Sequence, residues 1–122
     1  MPQDLSALET LKKASYLELT TRGRKSGKPR TVELSYAVRG DEILCLAGQG
    51  GGVQWYLNLM SDPDISVRVG TTHLRAKAVP VSEPETLVRE ILELFRKKYG
   101  ASYVRTWYEG TKRAPVRIKL LG

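Results

Sequence analysis

The sequence predicts a mainly β domain, a small barrel or curled sheet of about six antiparallel strands with flanking helices. Several short segments alternate apolar and polar residues, which is the period of a half-buried strand. Tight turns join consecutive strands, and such turns imply antiparallel pairing. The length of 122 residues fits one domain, which we place over residues 1–122.

The first half of the chain is predicted to contain one helix and three strands. Leucines recur near helical spacing over residues 4–14. Strands are predicted over residues 16–21, 31–38 and 42–47. The second of these has the clearest pattern, because every second residue is apolar through Val38. The third is continuously apolar, so we expect it to lie centrally in the sheet.

A second helix and a second hairpin follow a glycine-rich loop. The helix is predicted over residues 53–60 and ends before Pro63. Strands are predicted over residues 65–69 and 72–81, with Gly70 at the turn between them. The barrel core is therefore expected within residues 15–81.

The last part of the chain contains the strongest helix signal, over residues 82–98. Ser82 and Glu85 have the spacing of a capping box at its start. Its apolar stripe is expected to pack on the outside of the barrel. An aromatic stretch predicted to be mobile follows, and residues 115–121 are predicted as the closing strand.

Charge and cysteine content limit the classes of function. The formal net charge is +7, which favours an anionic partner: a nucleic acid, a phosphorylated cofactor or an anionic membrane surface. Cys45 is the only cysteine and lies in an apolar run, so we expect a buried, inert thiol and a cytoplasmic protein. His73 is the only histidine, and no metal site is predicted. No run approaches the length of a membrane span, and the N-terminus does not resemble a signal peptide.

Residues 22–30 form the first candidate site. They contain five basic side chains and no acidic one. Arginine binds phosphate through paired hydrogen bonds, and glycines let the backbone expose N–H groups. A solvated basic hairpin or a nucleic-acid contact remains an alternative from charge alone. The residues assigned to this anion cradle are Gly23, Arg24, Lys25, Ser26, Gly27, Lys28, Pro29 and Arg30.

The second candidate site is the glycine-rich loop before the 53–60 helix. Glycines between a strand and a helix allow a flat ligand to approach the backbone. The spacing is not that of a dinucleotide-binding motif, and a flexible loop is the alternative. The residues assigned to this site are Ala47, Gly48, Gln49, Gly50, Gly51 and Gly52.

Three stretches, TTRGRKSGKPRTVEL, LAGQGGG and WYLNLMSDPDISVRVG, together resemble the deazaflavin-dependent nitroreductase family. That family belongs to the split-barrel flavin-binding proteins related to pyridoxamine 5'-phosphate oxidase. The match covers most of residues 15–81, although the segment between the glycines and Trp55 is short. The matching positions are Gly23, Lys25, Ser26, Gly27, Arg30, Trp55, Asn58, Leu59 and Pro63.

The resemblance implies a split β-barrel of the FMN-binding type that binds coenzyme F420, with FMN as the alternative cofactor. The 22–30 loop would hold the phosphate and the polyglutamate tail. Backbone N–H groups of the glycine loop would contact the ring carbonyls, with Gly50 and Gly51 against the ring. Trp55 and Asn58 are also assigned to cofactor binding.

The implied activity is hydride transfer from the reduced deazaflavin to an electron-poor small molecule, as in nitroreductases. Tyr103 and Tyr108 are the candidate proton donors. A homodimer is expected, and no nucleic acid partner is expected. The alternatives are an FMN-binding reductase or a flavin or haem carrier on the same fold, and a nucleic-acid-binding barrel.

Overall fold

A computed structural model describes residues 5–108, 110 and 112–121 of the chain. The helices within these residues are α1 (Leu5–Lys13), α2 (Gln54–Ser61), α3 (Pro84–Tyr99) and α4 (Ala101–Trp107). The strands are β1 (Tyr16–Arg22), β2 (Pro29–Ser35), β3 (Ala37–Arg39), β4 (Glu42–Ala47), β5 (Asp64–Val69), β6 (Thr72–Val79) and β7 (Ala114–Leu120). None of the described helices is long and apolar enough to cross a membrane.

The strands form one sheet in the order β2-β1-β5-β6-β7-β4-β3, and the neighbouring strands pair antiparallel. β2 and β3 lie at opposite edges of the sheet, yet only Tyr36 separates them in the chain. Because consecutive Cα atoms are about 3.8 Å apart, the two edges must meet at this end. The sheet therefore curls into a barrel that is split along its β2 and β3 edges, which confirms the predicted fold class.

The predicted strand over residues 31–38 is wrong as one element, because it divides at Tyr36 into β2 and β3. The apolar alternation continues through the break, so the pattern gave no sign of it. The backbone of Tyr36 bonds to side chains of α3 instead of a strand. Its N–H donates to the Tyr99 hydroxyl at 3.0 Å, and its carbonyl oxygen accepts from Lys98 Nζ at 2.9 Å. This division adds a strand to the six expected.

The prediction that the strand over residues 42–47 lies centrally is wrong, because β4 is next to the β3 edge of the sheet. Its continuous apolar sequence instead reflects burial on both faces. Ile43 and Cys45 face the barrel interior, which also contains buried residues of β1, β5 and β7. Leu44 faces the opposite side, where it packs with Ile91 and Phe95 of α3. β4 therefore connects the barrel core to a second core beneath α3 and α4.

The two C-terminal helices differ from the prediction in detail. The capping box is wrong: α3 begins at Pro84, and its N-cap residue is Glu83, whose side chain makes no capping hydrogen bond in the described structure. Proline at the first helical position has no N–H that needs a cap. The aromatic stretch predicted to be mobile forms α4, because Val104 is buried in the second core and Tyr103 stacks on Tyr99 at 4.7 Å.

Lys98 of α3 is a half-buried cation next to the division between β2 and β3. Its Nζ lies 3.5 Å from the centroid of the Tyr36 ring. Burial lowers the pKa of Lys98 from 10.5 to about 8. The folded protein therefore favours the neutral amine more strongly than the unfolded chain does.

Wild-type protein is expected to gain stability between pH 8 and pH 9 relative to a Lys98→Met variant. In this interval the folded state releases the Lys98 proton while the unfolded chain retains it, so the free energy of unfolding rises with pH. Cys45, Tyr36 and Tyr99 adjoin the amine, and burial raises the pKa of each. Their ionisation in the unfolded chain acts in the opposite direction, but the Lys98→Met variant shares it, so the comparison isolates Lys98. Thermal melting of both proteins across the interval tests this, and a constant difference in melting temperature would contradict it.

Candidate functional site

The basic hairpin loop between β1 and β2 has a fixed backbone. Two hydrogen bonds of 2.9 Å close it, from the Gly23 N–H to the Lys28 carbonyl oxygen and from the Gly27 N–H to the Gly23 carbonyl oxygen. A Cβ atom on Gly23 would lie 2.8 Å from Ser26 Oγ, so the Ser26 side chain would have to move from the position in which it accepts a hydrogen bond from the Lys28 N–H. Gly27 has a φ of +71°, which favours glycine.

Several donors of this loop remain available for a ligand. The side chains of Lys25, Lys28 and Arg30 are exposed and have no hydrogen bond or ion pair within the described residues. The backbone N–H groups of Lys25 and Ser26 have no acceptor in the described part of the chain. Unpaired cations and free amides in one turn form an anion-binding surface.

This loop forms one wall of a cleft of about 710 Å³, which we call the basic cleft. The other walls are β2 and the first turns of α2. Of the loop residues predicted to bind the cofactor, Gly27 and Lys28 lie outside this lining. The lining residues are Gly23, Arg24, Lys25, Ser26, Pro29, Arg30, Thr31, Val32, Gln54, Trp55 and Asn58.

A second cleft of about 530 Å³, the aromatic cleft, continues along β2. Trp55 lines both clefts, and β2 passes from one to the other between Val32 and Glu33. The two clefts can therefore receive one elongated molecule that is anionic at one end and flat at the other. The lining residues of the aromatic cleft are Tyr16, Glu33, Leu34, Ser35, Leu46, Gly48, Val53, Trp55, Tyr103, Trp107, Tyr108 and Arg113.

The glycine-rich loop contributes less to these clefts than the sequence suggested, since only Gly48 of the predicted set lines one. The Gly50 N–H donates to the Lys112 carbonyl oxygen at 3.1 Å. The Gly51 and Gly52 N–H groups donate to carbonyl oxygens within the loop itself. These three amides, which were predicted to contact ring carbonyls, are therefore already bonded. Ala47 is buried in the barrel core and Gln49 is outside both linings.

Both predicted proton donors line the aromatic cleft. The hydroxyl of Tyr103 lies 2.7 Å from Ser35 Oγ. Tyr108 packs edge-on against Phe95, with the ring centroids 5.2 Å apart. Burial is the main cause of a raised pKa of the Tyr108 phenol, so this group stays protonated at neutral pH.

Sequence reasoning missed several residues of the two clefts. Gln54 bonds to Arg24 in the basic cleft. Its position directly before Trp55 was the one sequence feature that could have marked it as a site residue. Tyr16 and Ser35 occur at paired positions of β1 and β2, but their contact with α4 depends on the whole fold. Arg113 lies in the aromatic cleft just before β7.

Known proteins resemble this chain in sequence and in structure. The family described as F420H(2)-dependent quinone reductase matches residues 4–120. An F420H(2)-dependent quinone reductase of Mycobacterium tuberculosis is 31% identical over 108 residues, which cover 86% of this chain and 71% of that protein. A solved F420-H2 dependent reductase is 26% identical, with a TM-score of 0.61 over 86% of this chain and 93% of its own.

The fold itself is shared more widely. A putative pyridoxamine 5'-phosphate oxidase from Listeria innocua is 14% identical, with a TM-score of 0.64 over 94% of this chain and 89% of its own. These relationships confirm the split barrel, and the family names a quinone where the sequence resemblance named nitro compounds. The chain belongs to the F420H(2)-dependent quinone reductase family and is an oxidoreductase that depends on coenzyme F420.

Proposed function

We propose that this protein transfers a hydride from reduced coenzyme F420 to a quinone-like acceptor within the joined basic and aromatic clefts. The observation that carries the proposal is the meeting of the two clefts at Trp55, with cations that have no partner among the described residues at one end and aromatic rings at the other. F420 has matching ends, since a phosphate and a polyglutamate tail are linked to a flat ring.

The residues of the basic cleft fit the anionic part of the cofactor. Lys25 and Arg30 would pair with the phosphate or the tail carboxylates, and the amides of Lys25 and Ser26 would donate to phosphate oxygens. The ring would extend past Trp55 into the aromatic cleft, where Gly48 offers a backbone surface without a side chain. When bound, reduced deazaflavin supplies a hydride, which carries two electrons and one proton.

The aromatic cleft fits a flat acceptor and a proton donor. A quinone that accepts a hydride needs one further proton to become a quinol. Tyr103 would give that proton, and the Ser35 hydroxyl at 2.7 Å would relay a replacement proton from solvent, receiving one as it passes one on. Tyr108 is the second candidate, because its phenol is protonated at neutral pH. The exposed indole of Trp107 offers a surface on which an acceptor ring can stack.

Anaerobic mixing of the protein with reduced F420 and a soluble naphthoquinone is expected to regenerate the oxidised deazaflavin spectrum.

Trp107→Ala should raise the KM for the quinone roughly 2- to 10-fold, because an aromatic pair contributes about 0.5–1.5 kcal/mol. Tyr103→Phe should lower kcat while leaving F420 affinity unchanged. Quinone reduction that proceeds with FMN and not with F420 would contradict the proposal.

We also propose a cytoplasmic homodimer. The single buried thiol suits a reducing compartment, and the split-barrel flavin-binding proteins supply the expectation of a dimer.

The nucleic-acid-binding alternative receives little support from the site. Its aromatic residues lie beyond Trp55 rather than between the cations, whereas single strands bind grooves in which the two alternate.

A further inference from the structure

Arg24 differs from Lys25, Lys28 and Arg30 because its guanidinium is already held by the protein. Nη1 donates to Asn58 Oδ1 at 2.8 Å, and Nη2 donates to Gln54 Oε1 at 2.9 Å. Gln54 and Asn58 are four residues apart on α2 and therefore share one face of the helix. The guanidinium spans both side chains.

Asn58 ties the loop to the barrel as well as to α2. Its side chain is 6% exposed, and its Nδ2 donates to Thr21 Oγ1 of β1 at 3.4 Å. Its Oδ1 also accepts a weak bond from the backbone N–H of Arg24 at 3.4 Å. One buried amide thus joins the end of β1, the start of the loop and α2.

The partners of Arg24 are amides, and none of them carries a charge. Arg22, two residues earlier, instead pairs with the carboxylate of Asp62 at 3.5 Å. A carboxylate partner offsets the charge of an arginine, whereas a neutral amide fixes its geometry and leaves the charge in place. The positive charge of Arg24 is therefore retained inside the basic cleft.

We infer that Gln54 and Asn58 are positioning residues that hold Arg24 without neutralising it, so that the cleft keeps a fixed positive charge for a polyanionic ligand. This inference rests on the proposed binding of F420 in the basic cleft. Because these two positions have amide side chains and not carboxylates, the charge of Arg24 would stay available to attract anions into the cleft. Arg24 then acts through a fixed charge and through loop geometry, while Lys25 and Arg30 remain free to contact the ligand.

Gln54→Glu separates this role from a purely structural one. The side chain at position 54 is exposed, so the protein should fold, and the new carboxylate makes a stronger hydrogen bond with Arg24. If Gln54 only fixes the position of Arg24, the variant should bind F420 as well as the wild type does. If Gln54 also has to leave the charge of Arg24 in place, the new carboxylate offsets that charge. We therefore expect the Kd for F420 to rise about tenfold at low salt, with a smaller change at high salt.

Fluorescence titration with oxidised F420 and thermal melting of the apo protein make the test. Arg89→Gln is the matched control, because it also lowers the net charge by one and lies on α3, which packs on β3, β4 and β7. We expect the control to bind F420 like the wild type. Unchanged affinity in Gln54→Glu, beside a wild type that binds F420, would overturn the inference alone. Failure of the wild type to bind F420 would instead overturn the proposed function.

Discussion

A variant with alanine at both Lys25 and Arg30 is expected to bind F420 at least about 100-fold more weakly than the wild type. Both side chains are exposed, line the basic cleft and have no partner among the described residues. A hydrogen bond to a charged group contributes about 1.5–3 kcal/mol, and about 1.4 kcal/mol corresponds to a tenfold change in affinity. The loss of two such contacts therefore reaches two orders of magnitude.

Lys28→Ala is the control for this pair, because Lys28 belongs to the same loop but lies outside the lining of the basic cleft. It should change the Kd only slightly. All these variants should melt near the wild-type temperature, since none of the three side chains bonds within the described chain. Fluorescence titration at low and high salt gives the affinities, and wild-type binding should weaken with salt. Equal loss of affinity in Lys28→Ala and in the double variant would mean that the loop acts only through its overall charge.

The basic loop could be predicted from the sequence because its chemistry is contiguous. Residues 22–30 contain five cations without an acid, and Gly27 has a positive φ that favours glycine in the structure. The bonds between Arg24 and α2 could not be predicted. They join residues 30 and 34 positions apart, and a basic loop has no signal that singles out one cation for an internal role.

The strand pattern shows a similar limit at Tyr36. Apolar residues at every second position indicate which side chains face the core. The same alternation continues before and after the break, so it does not reveal where the strand divides. What divides the strand is the bonding of the Tyr36 backbone to Tyr99 and Lys98, more than 60 residues away. Period-two patterns predict faces, whereas the pairing of strands into a barrel depends on such distant contacts.

The glycine-rich loop shows that one sequence feature can have two physical causes. A glycine is required wherever a Cβ atom has no room, and the neighbour that occupies the room can be a ligand or the protein itself. At Gly51 the structure supplies a protein neighbour. A Cβ atom there would lie 2.9 Å from Cε2 of Tyr56 and 3.3 Å from the Cβ of Ala114.

Gly51→Val is therefore expected to lower the stability of the apo protein by about 2–6 kcal/mol, which corresponds to a fall of roughly 8 °C or more in melting temperature. Two effects add. The φ of +94° is a conformation that costs a side-chain-bearing residue about 1–3 kcal/mol, and overpacking against Tyr56 costs about 1–3 kcal/mol. The folded fraction should bind F420 with wild-type affinity, because Gly51 lies outside both cleft linings and its N–H is bonded to the Gly48 carbonyl oxygen.

Gly40→Val isolates the contribution of packing in this experiment. Gly40 also has a positive φ, of +62°, but no atom lies within 4 Å of its ideal Cβ position in the described structure. Its variant should show the conformational cost alone and melt well above Gly51→Val. Apo-protein melting and calorimetric titration with F420 on both variants make the comparison. The opposite result would be a Gly51→Val variant that melts like the wild type and loses its affinity for F420. It would mean that the new side chain meets the ligand and not a protein neighbour, so that the glycine loop contacts the cofactor ring.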